Sequence, residues 1–299
     1  MSTAHQPEDA ADRGVVYLAF GDLFLAMALR SAATVKELDP SVGTCIVTNV
    51  ASPSVLAPAT RGLVDHWVHS EQATSDNRLT KVRILDHAPF DKTVYLDADT
   101  LVLGHLRELF VMLDWFDVAV RLNPFGRGGG KGRWEVLGGL QTGQLPHWNS
   151  GVIAFRRGAG ARDFFDAWSN AYARVGASSD QVSLVEAVFN TGARVLSLDV
   201  RWNCPLGLHL ARGKEMGTRV LHYTSKMPRP VAAGILRQDA LMRAAAGIQP
   251  APDLDEQLRK RTLRPLSKPW LSTLGHRAEA LLRGERPPSL SAAISGNYP

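Results

Sequence analysis

Two aspartates, Asp97 and Asp99, give the sharpest chemical signal in this sequence of 299 residues. They follow directly on the apolar run 93–96, which is typical of a buried strand, so both carboxylates leave the strand end together and can reach one ion. Two carboxylates without a cysteine beside them favour a hard divalent cation, Mg²⁺ or Mn²⁺, and such a cation suits a phosphate ligand. A second pair of this spacing, Asp253 and Asp255, stands beside a proline at a predicted helix start, where acidic residues simply favour the helix dipole. The sequence therefore predicts a cation site at the first pair.

Strands and helices alternate along the segment that contains this first pair. Apolar runs at 14–19, 44–48, 64–68 and 93–96 predict four strands, and helical spacing predicts helices up to Asp39 and over 78–88. Such alternation predicts an α/β fold with a mostly parallel sheet covered by helices on both faces. Ligands of these sheets bind outside the carboxyl ends of the strands, so the turns there are expected to share one cleft. The predicted cleft residues are Ala19, Phe20 and Asp22 after the first strand, Thr48 and Asn49 after the second, and Asp97, Ala98 and Asp99 after the fourth.

The second half of the chain continues the same pattern with one interruption. Strands are predicted at 117–122, 152–155, 194–198 and 219–223, and helices at 163–173 and 179–189. The interruption, 123–147, contains eight glycines and little periodicity, which is too irregular for a core element. Beyond Pro230 the pattern is helical over 231–246, 254–263 and 274–282, and the last residues, 284–299, are expected to fray.

Several segments, taken in order, resemble one family of enzymes. The segment 94–102 resembles the metal-binding segment of retaining glycosyltransferases related to glycogenin and the bacterial lipopolysaccharide galactosyltransferases. Further segments between Val15 and Lys226 are similar to that family in the same order: Arg78-x-x-Lys81, Trp148-Asn149-Ser150-Gly151-Val152, Ser179-Asp180-Gln181, Trp202-Asn203 and Leu221-His222-Tyr223. Most of these tripeptides are common, so it is their order and spacing that indicate the family.

The resemblance implies a fold and an activity. It implies the GT-A (Rossmann-like) fold and transfer of a hexose from a nucleotide-diphosphate sugar, a UDP-sugar, to a hydroxyl acceptor with retention of configuration. The acceptor class stays open between a glycan, a lipid-linked molecule and a protein. No carboxylate stands out as a covalent nucleophile, so a front-face route, in which the leaving phosphate takes the proton of the acceptor, is preferred.

The resemblance also assigns roles to residues. It implies that Asp97, Asp99 and His222 bind the metal, and the added imidazole shifts the preference from Mg²⁺ towards Mn²⁺. Asp180 and Gln181 are the implied catalytic residues, with Asp180 orienting the donor sugar and Gln181 near its anomeric carbon. The implied donor-binding residues beyond the strand-end turns are Arg78, Lys81, Asn149, Ser150 and Lys226.

Two segments near the predicted site leave alternatives open. The family often has glycine and lysine after the metal histidine, whereas this chain has Ser225 and Pro228 there, so Lys226 and Arg229 are the alternative cations for the diphosphate. The glycine-rich segment 123–147 has two interpretations, a disordered insertion or a loop that closes over the acceptor to exclude water.

Charge and composition limit the other function classes. The chain carries 34 basic and 29 acidic residues, but 257–299 alone carries eight basic and two acidic ones, so the remainder has a net charge of −1 and nucleic-acid binding is not expected. The only two cysteines lie far apart, which excludes a disulfide scaffold or a zinc–cysteine site. With no predicted signal peptide or membrane span, the expected location is the cytoplasm.

The expected domain organisation is a disordered N-terminus over 1–13, a glycosyltransferase domain over 14–229 and a basic helical extension over 230–299. Within that extension, 257–286 combines basic residues with apolar anchors. One hypothesis is peripheral contact with anionic lipid at the inner face of the membrane, and the other is a solvated helix packed on the domain.

Two other functions are compatible with such a sheet. A sugar nucleotidyltransferase is expected to have a glycine-rich phosphate loop with a basic residue directly after the first strand, and 19–22 lacks it. A non-catalytic protein that binds carbohydrate or a partner is the second alternative, and the intact pair Asp97 and Asp99 argues against such a loss of function.

Overall fold

A seven-stranded sheet forms the centre of the protein. The computed structural model describes residues 12–71, 77–123, 134–175, 180–223 and 229–248. The strands of the central sheet are β1 (Arg13–Leu18), β2 (Gly43–Thr48), β3 (His66–His69), β4 (Lys92–Leu96), β6 (Val118–Leu122), β9 (Trp148–Arg156) and β10 (Val195–Leu198). Their order is β10-β6-β9-β4-β1-β2-β3. Only β9 runs antiparallel to its neighbours, and every other pair in this sheet is parallel.

Two small sheets accompany the central one. The first contains β11 (Cys204–Pro205), β12 (Val220–His222) and β5 (Thr100–Val102) in that order. The second is a hairpin of β7 (Glu135–Leu137) and β8 (Leu140–Gln141), whose turn residues Gly138 and Gly139 both have positive φ. A two-residue hairpin turn with positive φ at both positions matches the twist of the flanking strands. Glycine adopts positive φ readily, which explains the pair of glycines.

Helices cover both faces of the central sheet. They are α1 (Asp22–Leu38), α2 (Pro58–Arg61), α3 (Asn77–Lys81), α4 (Ile84–His87), α5 (Arg107–Met112), α6 (Ala159–Val175), α7 (Asp180–Phe189), α8 (Leu206–Met216) and α9 (Arg229–Ala246). Successive residues of β1 alternate between two apolar clusters: Val15 and Tyr17 pack with α1, while Val16 and Leu18 belong with the aromatic residues of α6. Because successive strand residues point to opposite faces, the two clusters are the two sides of one sheet. The predicted α/β fold is confirmed.

Several element boundaries differ from the sequence prediction. The helix expected over 78–88 is two short helices, because the backbone leaves helical geometry at Arg83 (φ −117°, ψ 19°). The third strand begins at His66 rather than Val64, and β9 begins four residues earlier than predicted, at Trp148. Part of the glycine-rich segment forms the β7–β8 hairpin, although it was predicted to be irregular. Helix α8 was not predicted at all; two glycines, Gly207 and Gly213, interrupt its pattern.

The last described helix, α9, packs on the body of the protein. Leu236 and Ala246 are buried, and the Ala57 amide donates a hydrogen bond of 2.8 Å to the Ala246 carbonyl. Asp239 on α9 lies 3.4 Å from the Arg30 guanidinium of α1. The later helices predicted at 254–263 and 274–282, the pair Asp253 and Asp255, and the basic stretch 257–286 lie outside the described residues.

Two further sequence expectations concern cysteines and membranes. Cys45 and Cys204 are both free and buried. Among the described residues, no helix combines the length and the apolar character that crossing a bilayer requires.

Candidate active site

A polar cleft of about 440 Å³ opens at the edge of the central sheet where β1 and β4 end and β9 begins. Its volume lies in the range of small-molecule sites. Most of the predicted site residues line it: Phe20, Arg78, Lys81, Asp97, Ala98, Asp99, Asn149, Ser150, Asp180, Gln181 and His222. Four predicted cleft residues do not line it. Ala19 and Thr48 are fully buried, Asn49 Oδ1 accepts a hydrogen bond from the Gly21 amide at 2.9 Å, and Asp22 faces Arg243 of α9 at 3.8 Å. Lys226 lies outside the described residues.

Three side chains in the cleft form a candidate metal site. Ligand atoms of Asp97, Asp99 and His222 all lie within 4.8 Å of one another. The His222 Nε2 atom is 3.1 Å from Asp99 Oδ1 and 3.9 Å from Asp97 Oδ2. Two carboxylate oxygens and one imidazole nitrogen that converge in this way suit Mn²⁺ or Mg²⁺, so the residues present fit a divalent cation.

Backbone pairing brings the histidine to the aspartates across more than a hundred residues of chain. Asp97 follows β4, and its amide donates to the Gly151 carbonyl of β9 at 2.9 Å. Asp99 precedes β5, which pairs antiparallel with β12 so that His222 stands opposite Thr100. The Tyr223 amide also donates to the Asp99 carbonyl at 3.1 Å. The small sheet therefore attaches the histidine to the acidic turn.

A chain of amide groups orients the His222 ring. The Gly151 backbone N–H donates to Asn149 Oδ1 at 2.9 Å, which establishes that this atom is the oxygen, since a backbone amide can only donate. Asn203 then donates its Nδ2 to the same oxygen at 2.7 Å and turns its own Oδ1 to His222 Nδ1 at 2.9 Å. Nδ1 therefore donates to this oxygen and Nε2 faces the aspartates, where it donates to Asp99 when the ring is protonated and offers its lone pair to a cation when the ring is neutral. A partner on the second nitrogen is the usual way in which a ligating histidine is oriented.

Position 151 requires glycine because the His222 ring lies close against its backbone. A Cβ atom built at Gly151 would lie 2.5 Å from His222 Cε1 and 2.7 Å from Nδ1. These distances are about 1 Å shorter than an ordinary contact between carbon atoms. The glycine of the Asn149–Val152 segment therefore makes room for the imidazole.

Lys81 lies between two carboxylates at the floor of the cleft. Its Nζ is 2.8 Å from Asp97 Oδ1 and 3.3 Å from Asp180 Oδ2, and the side chain is buried. Burial alone lowers the pKa of Lys81, but the charges of Asp97 and Asp180 outweigh it and the pKa lies above its ordinary value. The sequence suggested only a phosphate contact for Lys81; the structure adds an ion-pair role.

Asp180 and Tyr95 complete the polar network. Ser150 donates its hydroxyl to Asp180 Oδ2 at 2.6 Å, and Tyr95 donates its hydroxyl to Asp97 Oδ1 at 2.6 Å. Burial raises the pKa of Asp180, but the charge of Lys81 and the bond from Ser150 reverse this, so the pKa lies below its ordinary value. Burial and the charge of Asp97 hold the pKa of Tyr95 well above its ordinary value, so its hydroxyl remains a donor.

The pKa values of the candidate metal ligands reflect their mutual contact. Burial lowers the pKa of His222, and the charge and hydrogen bond of Asp99 raise it by more, so the pKa lies above its ordinary value. Burial raises the pKa of Asp99, and His222 lowers it by more, so that pKa lies below its ordinary value. A cation on these ligands would displace the proton held between them.

Two residues of this network were not among the predicted site residues. Tyr95 stands two residues before Asp97, and since alternate strand residues share a face, that spacing could have indicated it. Asn203 follows β10 in the chain, and its only sequence signal was the Trp202-Asn203 step of the family resemblance.

Comparisons with known proteins support the fold. No protein-family model and no curated protein sequence matches the chain. Among solved structures, the galactosyltransferase LgtC in complex with donor and acceptor sugar analogues has a TM-score of 0.53 at 18% identity, over 82% of this chain and 99% of that one. An active-site mutant of LgtC with glutamine changed to glutamate has a TM-score of 0.51 at 18% identity, over 79% of this chain and 97% of the mutant chain. The glycosyltransferase GlyE of Streptococcus pneumoniae has a TM-score of 0.51 at 15% identity, over 72% of this chain. The match spans only 55%, about half, of the GlyE chain. The chain therefore has the GT-A fold found in glycosyltransferases.

Proposed function

We propose that this protein is a metal-dependent glycosyltransferase that moves a hexose from a UDP-sugar to a hydroxyl acceptor with retention of configuration. The observation that carries the proposal is the convergence of Asp97, Asp99 and His222 at the ligand-binding edge of a GT-A fold. The likeness to LgtC, solved with donor and acceptor sugar analogues, supports a sugar-nucleotide donor. The acceptor remains a glycan, a lipid-linked molecule or a protein.

The candidate ligands would hold Mn²⁺ or Mg²⁺. Bound there, the cation supplies positive charge to the diphosphate leaving group. Asn203 contributes by holding the His222 ring with Nε2 towards the aspartates, and Tyr95 contributes by fixing Asp97 through its hydroxyl.

Lys81 would supply a second positive charge to the donor. An ammonium group has three N–H donors, and the described contacts to Asp97 and Asp180 occupy two of them. The third remains for a phosphate oxygen of the donor, as a charge-assisted hydrogen bond. Because the two carboxylates hold the ammonium in place, this contact would need little reorganisation when the donor binds.

Asp180 and Gln181 would position the donor sugar. Both residues lie at the start of α7 and line the cleft, and Asp180 Oδ2 is already engaged by Ser150 and Lys81. Asp180 Oδ1 lies 4.0 Å from Arg78 Nε, which is longer than a hydrogen bond, so this oxygen can accept a hydrogen bond from a sugar hydroxyl. A carboxylate engaged in this way is a poor covalent nucleophile, which supports the front-face route. Gln181 would lie near the reacting carbon, as the family resemblance implies, and LgtC likewise has a glutamine in its active site.

The test is donor turnover by the full chain with Mn²⁺, Mg²⁺ or EDTA. We expect release of UDP from a panel of UDP-sugars with Mn²⁺ and its loss in EDTA. Asp99→Asn should remove most of this turnover and leave the melting temperature nearly unchanged, whereas Asp163→Asn, an exposed carboxylate outside the cleft, should have no effect. Full activity in EDTA, or no donor binding by calorimetry, would contradict the proposal. Formation of a UDP-sugar from UTP and a sugar phosphate would indicate a nucleotidyltransferase instead.

A further inference from the structure

Arg121, near the end of β6, is a buried cation that has no anionic partner among the described residues. The side chain is 6% exposed, and its Nε atom is sealed from solvent without any hydrogen-bond partner. Within the described part of the chain, no ion pair or hydrogen bond of its guanidinium is found. The two terminal nitrogens are not sealed in the same way and keep some contact with solvent.

The other buried cationic side chains among the described residues are all compensated. Each lysine or arginine of this class has a carboxylate oxygen within 4.0 Å: Arg30 with Asp239, Lys81 with Asp97 and Asp180, Lys92 with Asp114, and Arg243 with Asp22. Arginine stays charged in proteins, and burying that charge without an anion is costly. Such an uncompensated guanidinium is expected where the anion is carried by a ligand.

The position of Arg121 joins it to the candidate active site. It stands opposite Asn149 of β9, immediately after a bulge in the pairing of β6 with β9. Asn149 lines the cleft, and its side-chain oxygen is bonded to Asn203, which holds the His222 ring. Arg121 also lies near Cys204 of β11. Bulges beside active sites commonly redirect a side chain, and this one separates Arg121 from the regular strand.

We propose that Arg121 binds a carboxylate or phosphate carried by the sugar substrate, so that the enzyme selects an acidic sugar. This inference rests on the proposed glycosyl transfer. A guanidinium forms paired hydrogen bonds with such anions, which gives both affinity and orientation. The donor diphosphate is not the expected anion, because the cation ligands and Lys81 already serve it, and Arg121 lies beside Asn149 rather than among the residues that line the cleft. The acidic group belongs either to the donor, as a uronic acid, or to the acceptor.

The experiment separates the two sources. The donor arm compares hydrolysis of UDP-glucuronate and UDP-glucose, and the acceptor arm compares transfer to uronate or phosphorylated glycosides with transfer to their neutral counterparts. We expect the native protein to prefer the acidic substrate in one arm, and Arg121→Met to lower the acidic-to-neutral ratio of kcat/KM in that arm by about 10- to 100-fold, the range for a hydrogen bond to a charged group. Arg121→Lys should retain part of the preference, and Arg107→Met, an exposed arginine outside the cleft, should retain all of it.

A second measurement does not depend on the folding of the variants. In Mn²⁺, the acidic donor or acceptor should raise the melting temperature of the native protein more than its neutral counterpart does. The inference would be overturned if the native protein turned over substrates without acidic preference in either arm. It would also be overturned if Arg121→Met lowered kcat/KM equally for the acidic and the neutral substrate. Either result would leave the proposed function intact. Absence of turnover with every donor would instead overturn the proposed function.

Discussion

Replacing Gly151 by alanine adds one methyl group at the point where the backbone of β9 passes the His222 ring. The new Cβ would lie 2.5 Å from Cε1 and 2.7 Å from Nδ1 of that ring, and 3.0 Å from Asn149 Oδ1. Since carbon atoms in contact are about 3.5–4.0 Å apart, the ring must retreat by about 1 Å. Such a movement separates Nδ1 from the Asn203 oxygen, now 2.9 Å away, or turns Nε2 from Asp99.

The expected result of Gly151→Ala is a site that binds its cation and turns over more weakly. Loss of a ligand's orienting partner costs about 10- to 100-fold in metal affinity, and a displacement of about 1 Å costs about 100-fold in rate. We expect the Mn²⁺ dissociation constant, measured by calorimetry, to rise about 10-fold or more, and UDP release to fall by about 100-fold.

The matched control for that experiment is Gly158→Ala. A Cβ built at Gly158 meets no heavy atom within 4 Å, so this variant should bind Mn²⁺ and turn over as the native protein does. Native Mn²⁺ affinity and native UDP release in Gly151→Ala would refute the argument that the glycine makes room for the ring.

Three further predictions concern stability and the C-terminal segment. Asp239→Ala should lower the free energy of unfolding by about 3–5 kcal/mol in denaturant titrations, because it leaves the buried Arg30 guanidinium without its carboxylate, and a loss below 1 kcal/mol would contradict this. Burial raises the pKa of Asp65, but its contacts with Lys36 and Thr44 lower it by more. The pKa in the folded protein therefore lies below the unfolded value of about 3.9. The ionised carboxyl thus stabilises the fold at neutral pH. The stability difference between the native protein and Asp65→Asn should be present above about pH 4 and vanish as pH falls through the folded pKa, and a constant difference in acid unfolding curves would count against it. Truncation after Pro252 should abolish sedimentation with anionic liposomes if 257–286 contacts membranes, and unchanged sedimentation would eliminate that hypothesis.

Much of the site could be predicted because its parts are local. Apolar runs of strand length mark β1, β2 and β4, and the helical spacing between them predicts a mostly parallel sheet. The acidic pair follows directly on β4, so its place at the edge of the sheet depends on only a few adjacent residues. The other cleft residues came from the order of short segments that resemble a family, and most of these residues line one cavity.

The order of amino acids therefore specifies the set of elements and the chemical groups at their ends. The tertiary structure alone decided which of those groups touch: Asn203 bonds to Asn149 across 54 residues and to His222 across 19, and Lys81 meets Asp97 and Asp180 together. It also decided that Gly151 must lack a side chain and that Arg121 is buried with no anion beside it among the described residues. Local backbone preferences act over a few residues, whereas these contacts follow from strand order and side-chain packing between distant segments, and no local pattern records them.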